Sequence, residues 1–110
     1  MALFMYQAAY TPVAWAVQLK NPENRAEAVG RAACEAVGGK LVGSWYCFGE
    51  YDVVLVADVP DAESMAAIAL AIAAGGALKS AQTTVLMSGE QAVAAMRKSA
   101  TVAAVYRPAR

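Results

Sequence analysis

Two apolar runs, residues 41–48 and 53–57, flank the four residues Gly49-Glu50-Tyr51-Asp52. Strand-like segments separated by so short a break return on each other as an antiparallel hairpin. A glycine followed by one more residue is what a tight II′ turn asks for, so Gly49 is expected to take a positive φ, which costs it no Cβ clash. Pairing across Gly49-Glu50 sets Phe48 opposite Tyr51, Cys47 opposite Asp52, Tyr46 opposite Val53 and Trp45 opposite Val54. One sheet face then carries Val42, Ser44, Tyr46, Phe48, Tyr51, Val53, Leu55 and Ala57. The other carries Leu41, Gly43, Trp45, Cys47, Asp52, Val54, Val56 and Asp58. An antiparallel sheet with one wet face alternates apolar with polar. Neither face here is polar enough for water.

The rest of the chain supplies the partners of this hairpin. Residues 3–10 read as a strand, broken by Thr11-Pro12, and residues 13–19 as a short helical turn that presents Trp15. Asn21-Pro22 is read as N-cap and first residue of a helix to about Val37, with Ala26, Val29, Ala33 and Val37 at helical spacing. Gly38-Gly39 stops it. Pro60-Asp61 opens a second helix whose body, residues 65–74, is apolar all round, which predicts burial on more than one side or packing against a second subunit. Residues 78–87 read as the fourth strand. Ser88 and Gln91 form a capping box for a last helix ending near Ser99. The order defines an α+β chain: a ferredoxin-like βαββαβ domain over residues 1–99 with a four-stranded antiparallel sheet and an extra C-terminal helix, then a tail over 100–110.

Two helices on one face leave the other bare. With 59% hydrophobic and 16% charged residues in 110, the chain carries more apolar surface than one small domain hides. The bare face is therefore expected to pack on the same face of a second copy, as a dimeric α/β barrel, so the expected partner is the chain itself. Nine basic and nine acidic residues cancel, which disfavours nucleic acid and anionic membranes as partners. The one basic cluster, Arg97, Lys98, Arg107 and Arg110, reads as a solvated tail. The chain has no histidine, the usual general base and the commonest metal ligand, and no metal or cofactor is expected. Cys34 and Cys47 are expected to be reduced thiols in a cytoplasmic protein. Residues 1–10 lack the features of a signal peptide, and the longest apolar stretch, 65–78, is too short for a bilayer.

From residue 20 to about 97 the chain resembles the GYD-domain family, named for a Gly-Tyr-Asp signature. The matching residues are the run from Lys20-Asn21-Pro22 to Ala26-Glu27, Gly38-Gly39-Lys40-Leu41, Trp45, Gly49-Glu50-Tyr51-Asp52-Val53-Val54, Pro60-Asp61 and Thr83. The resemblance implies a ferredoxin-like subunit of the dimeric α/β-barrel superfamily, in a family of small, mostly bacterial proteins without an agreed activity. Superfamily relatives include cofactorless monooxygenases and small isomerases or cyclases, while the haem-dependent ones use a histidine that is absent here. Family members usually have a Thr-x-x-Gly-like segment after the first strand. Here Ala14 and then Trp15 follow Thr11, which implies a smaller or more apolar pocket.

Asp52 is the leading candidate site residue, since an acid among Cys47, Trp45 and Val54 needs donors or a cation to stay ionised. Arg25 and Lys20 are the candidate cations. Such a carboxylate serves as general acid or base, as an acceptor that orients a ligand, or as a structural acceptor. Trp15, Trp45, Tyr46, Tyr51 and Tyr6 are the aromatics available to line a cavity or to pack an interface. Cys47 beside Asp52 is a poor nucleophile, because a carboxylate neighbour disfavours the thiolate. Two functions follow as expectations. One is a homo-oligomer that binds a small apolar or aromatic molecule near Asp52, with cofactor-free chemistry open to it. The other is a non-catalytic assembly module acting through its apolar helix and C-terminal tail.

Overall fold

The computed structural model describes residues 1–109; Arg110, counted above in the basic C-terminal cluster, lies outside the described residues. Four strands, β1 (Ala2–Tyr10), β2 (Lys40–Tyr46), β3 (Val53–Val59) and β4 (Leu78–Leu86), form one antiparallel sheet in the order β2-β3-β1-β4. The helices are α1 (Pro12–Lys20), α2 (Arg25–Ala36), α3 (Ala62–Ala74) and α4 (Gly89–Ala103). This is the expected ferredoxin-like α+β arrangement.

Alternation in β1 and β3 decides which face is inside. Phe4, Tyr6 and Ala8 pair with Ala57, Leu55 and Val53, and all six are buried. Both main helices cover this face. Ala26, Gly30 and Cys34 form the buried stripe of α2 at a spacing of four, and Met65 and Ile68 that of α3. Gly30 lets α2 approach closely, since a Cβ there would lie 3.2 Å from Leu55 and 3.3 Å from Leu41. Within the chain α3 buries one side only, and Leu70 remains 71% exposed.

Several local expectations are corrected. Residues 13–19 belong to a full helix, because Thr11-Pro12 already supplies its cap and first residue; the Thr11 hydroxyl accepts from the Ala14 N–H at 3.1 Å. Asn21 closes α1, and α2 begins only after Asn24, whose side chain accepts from the Glu27 N–H. Gly49 has no positive φ. Cys47 N–H donates to the Asp52 carbonyl, so the hairpin loop spans four residues, a length that does not demand a left-handed glycine. Tyr46–Val53 and Trp45–Val54 pair as expected, but the register shifts between Leu41 and Gly43. That bulge puts Leu41 opposite buried Ala57, on the helix-covered face, and leaves Val42 exposed. The last helix runs to Ala103, past Ser99.

None of the residues of α4 is buried. The Cα radius of gyration is 17.3 Å, where a compact chain of this length has about 13 Å. α4 stands away from the body and accounts for the elongation.

At the other end of α2, Gly38 takes φ +81°, and Gly39 passes so close to β3 that a Cβ would sit 2.5 Å from the Asp58 carbonyl oxygen. Backbone cannot yield as a side chain can. Gly39→Ala is therefore expected to cost about 2 kcal/mol of stability, read as a lower urea midpoint at unchanged slope. An unchanged midpoint refutes the close approach.

Candidate functional site

The site grows from the end of β1. There the N–H groups of β1 that face β3 meet a strand already turning into its loop. Asp52 N–H donates to the Ala8 carbonyl at 2.8 Å, and the Asp52 side chain continues the ladder: its Oδ2 accepts from the Tyr10 N–H at 2.9 Å. The same oxygen accepts from Trp15 Nε1–H on α1 at 3.2 Å. Asp52 is thus held by N–H donors, not by Arg25 or Lys20; among the described residues the sole ion pair is Glu27–Arg31 at 2.6 Å. Its indole partner is Trp15. Trp45, expected beside it, instead lies over Gly43 on the opposite sheet face and is 56% exposed.

Above this tie runs a row of aromatic rings. Tyr10 meets Trp15 edge-on with centroids 5.2 Å apart, Trp15 lies 6.2 Å from Phe48, and Phe48 stacks near Tyr46 at 6.5 Å. The Tyr46 hydroxyl accepts from the Ala26 N–H at 3.3 Å, fastening the start of α2. Tyr51 departs from the expected face. Its hydroxyl donates to Gln82 Oε1 at 3.0 Å, and Gln82 pairs with Gln7 on the bare side. A four-residue loop lets Phe48 and Tyr51 part to opposite sides, where a two-residue turn holds them together. Of the sequence-derived site residues, the fold gathers Trp15, Arg25, Tyr46 and Asp52 at one end of the helix-covered face and sends Trp45 and Tyr51 to the other.

Between the sheet and helices α2 and α3 lies a cavity of about 370 Å³. Its walls are mostly apolar, with Val29 and Ala33 from α2, Ile72 from α3 and Leu55 from β3. Tyr6 and Tyr10 bring the phenols, and Arg25 is the one charged residue among the described residues of the lining. Tyr10 and Ile72 were not singled out by sequence, and Val29 and Ala33 only as apolar positions at helical spacing. The alternation of Phe4, Tyr6, Ala8 and Tyr10 along β1 was the signal available for Tyr10. Burial pushes the Tyr6 hydroxyl above the usual phenol range. Tyr10 is raised likewise by burial first, then by Tyr46 and Asp52, against the lowering effect of Arg25. Cys34 is raised by burial and by Glu35. Cys47 donates its thiol to the Tyr51 carbonyl at 3.2 Å. No cluster of three metal-ligating side chains occurs among the described residues. The arrangement can enclose an apolar body and offer hydroxyl and guanidinium donors to it.

The sequence model of the GYD domain matches residues 4–96. No curated protein matches the chain. Among solved structures, an uncharacterized NIPSNAP domain protein from Burkholderia xenovorans aligns with a TM-score of 0.49 and 19% identity, covering 81% of this chain and 95% of that one.

Asp52→Ala strips the acceptor from two part-buried donors and is expected to cost about 2 kcal/mol, whereas Asp52→Asn, which keeps a carbonyl oxygen, costs less. Urea titration of both variants reads the difference, and equal losses contradict the tie. The phenols carry a pH signature. Their folded-state pKa values are raised, so the folded chain keeps protons that the unfolded chain sheds above pH 10, and Cys34 adds the same trend from about pH 9. Stability from these groups is level through neutrality and falls as pH rises past those values. Tyr6→Phe should flatten the decline in a series of urea midpoints.

Proposed function

We propose that this chain, which belongs to the GYD-domain family, is a homodimeric binding protein for a small apolar or aromatic molecule, held in the cavity between its sheet and helices α2 and α3. The observation that carries the reading is the cavity itself. Its size falls within the range of ligand sites, roughly 300–1,000 Å³, and its lining joins apolar walls to a few polar groups at one end. Asp52 contributes as the acceptor that fixes Tyr10 and Trp15 beside that end. Cofactor-free chemistry on the bound molecule is compatible with such a site.

Dimerisation follows from the face that no main helix covers. Leu3 pairs there with Leu86 and Met5 with Val56, and Val54 stands beside them opposite Gln7. Four strands about 4.8 Å apart and some 25 Å long present a few hundred Å² per subunit, at the low end of stable interfaces. The free thiols, Cys34 and Cys47, suit a reducing compartment such as the cytoplasm. No helix among the described residues is long and apolar enough to cross a membrane. A second reading, an assembly module, is favoured by one observation: α4 and the turn after it expose Met96, Val102, Val105 and Tyr106 with no cover from the chain itself.

N-phenyl-1-naphthylamine, a neutral fluorescent probe, should bind near one per subunit, and Ala33→Leu, which fills the cavity, should weaken it about tenfold or more, a change of roughly 1.4 kcal/mol. Absence of any saturable signal from the unaltered chain ends the binding reading. Val56→Lys places a charge at the centre of the bare face and should convert a dimer to a monomer in sedimentation equilibrium. If its mass equals that of the unaltered chain, the dimer does not use that face.

A further inference from the structure

The cavity distributes its polar groups unevenly, and that unevenness specifies a ligand class. Tyr6 is only 4% exposed, and its hydroxyl has no hydrogen-bond partner among the described residues. That oxygen is nonetheless not sealed in, since no buried side-chain oxygen or nitrogen among the described residues lacks a partner, and Tyr6 lines the cavity. A phenol in an apolar wall without a protein partner is a donor waiting for an acceptor. The Tyr10 hydroxyl is likewise without a protein partner among the described residues and lines the same cavity.

Arg25 completes the set. It is the first residue of α2 and borders both the cavity and the adjoining cleft, where Tyr10 and Glu23 also stand. No carboxylate of the described residues is in ion-pair contact with it. Asp52 already spends its Oδ2 on Tyr10 N–H and Trp15 Nε1–H. Arg25 is the one neighbour that lowers the Tyr10 hydroxyl, against burial, Tyr46 and Asp52, which raise it. The guanidinium can only donate and carries a positive charge, and two neutral phenols beside it can donate as well, so the group favours an anionic acceptor. One arginine balances one negative charge, and its fork matches the two oxygens of a carboxylate.

Resting on the cavity reading above, we propose that the ligand is an aromatic carboxylate, its ring system among Val29, Ala33, Leu55 and Ile72 and its carboxylate on Arg25 with the Tyr6 and Tyr10 hydroxyls donating. The apolar walls set the body and the three donors set the head group. A phosphate, with a second charge, is left half unmatched by a single arginine.

The experiment compares 2-naphthoate with 2-naphthamide, a pair equal in shape and different in charge, by calorimetric titration of the full chain. Naphthoate should bind about tenfold tighter or more. Arg25→Gln should bring the two within about twofold, and Arg25→Lys should retain part of the preference. Since Arg25 is exposed, neither change threatens the core. Equal affinity for the two compounds, or a preference that survives Arg25→Gln, overturns the proposal. If neither compound binds while N-phenyl-1-naphthylamine still does, the ligand class is wrong and the cavity reading stands; if all three fail, both fall.

Discussion

One carboxylate oxygen joins three parts of this molecule. Asp52 Oδ2 accepts from the last β1 N–H that still faces β3 and from the Trp15 indole, and so pins a strand end, a helix and a hairpin loop to one point. The need arises from geometry. β3 leaves the ladder for its loop two residues before β1 has finished, and a backbone donor there has no backbone acceptor to meet. A side chain long enough to reach back and short enough to stay ordered satisfies it. The aromatic row and the mouth of the cavity take their positions from that tie, because Tyr10 and Trp15 are its two donors.

The second constraint is area. A four-stranded sheet has two faces, and α2 and α3 both lie over the same one. The chain manages this with small residues where helix meets sheet, Ala26 and Gly30 in particular, so that α2 sits close enough to seal Leu41 and Leu55. Packing loosens toward the Tyr10 end, where Ala33, Ala71 and Ala77 stand in place of bulkier residues and the cavity opens. Shortage of volume there and excess of apolar surface on the reverse face are two outcomes of one alanine- and valine-rich composition.

Much of the fold was legible because it depends on short-range rules. The hairpin partners Tyr46–Val53 and Trp45–Val54, the Ser88–Gln91 capping box and the Asp61 cap each follow from a few adjacent residues. What failed was whatever required knowing how far a local signal reaches. Asn21-Pro22 and Asn24 with Glu27 are both good helix starts, and only the length of α1, set by Thr11-Pro12, selects the second. The bulge at Val42 has one marker in the run 41–48, the strand glycine Gly43, which was not read as such, and it moves Leu41 across the sheet. The site was half legible for the same reason. Asp52 stood out as an acid in apolar company, whereas its partner Trp15 and the phenol Tyr10 come from 37 and 42 residues away, a distance no local pattern spans.

α4 raises a different matter, that of cooperativity. A fifteen-residue helix with a good N-cap and no buried side chain draws its order from its own hydrogen bonds and from little else. Isolated helices of that length are marginal in water. In a lone subunit it would fray and re-form independently of the sheet, and its amides would trade hydrogen with solvent long before those of β1 and β3. Any surface that captured the helix would slow that exchange without touching the body of the fold, so the rate of isotope uptake in this one segment is a gauge of whether the arm is held.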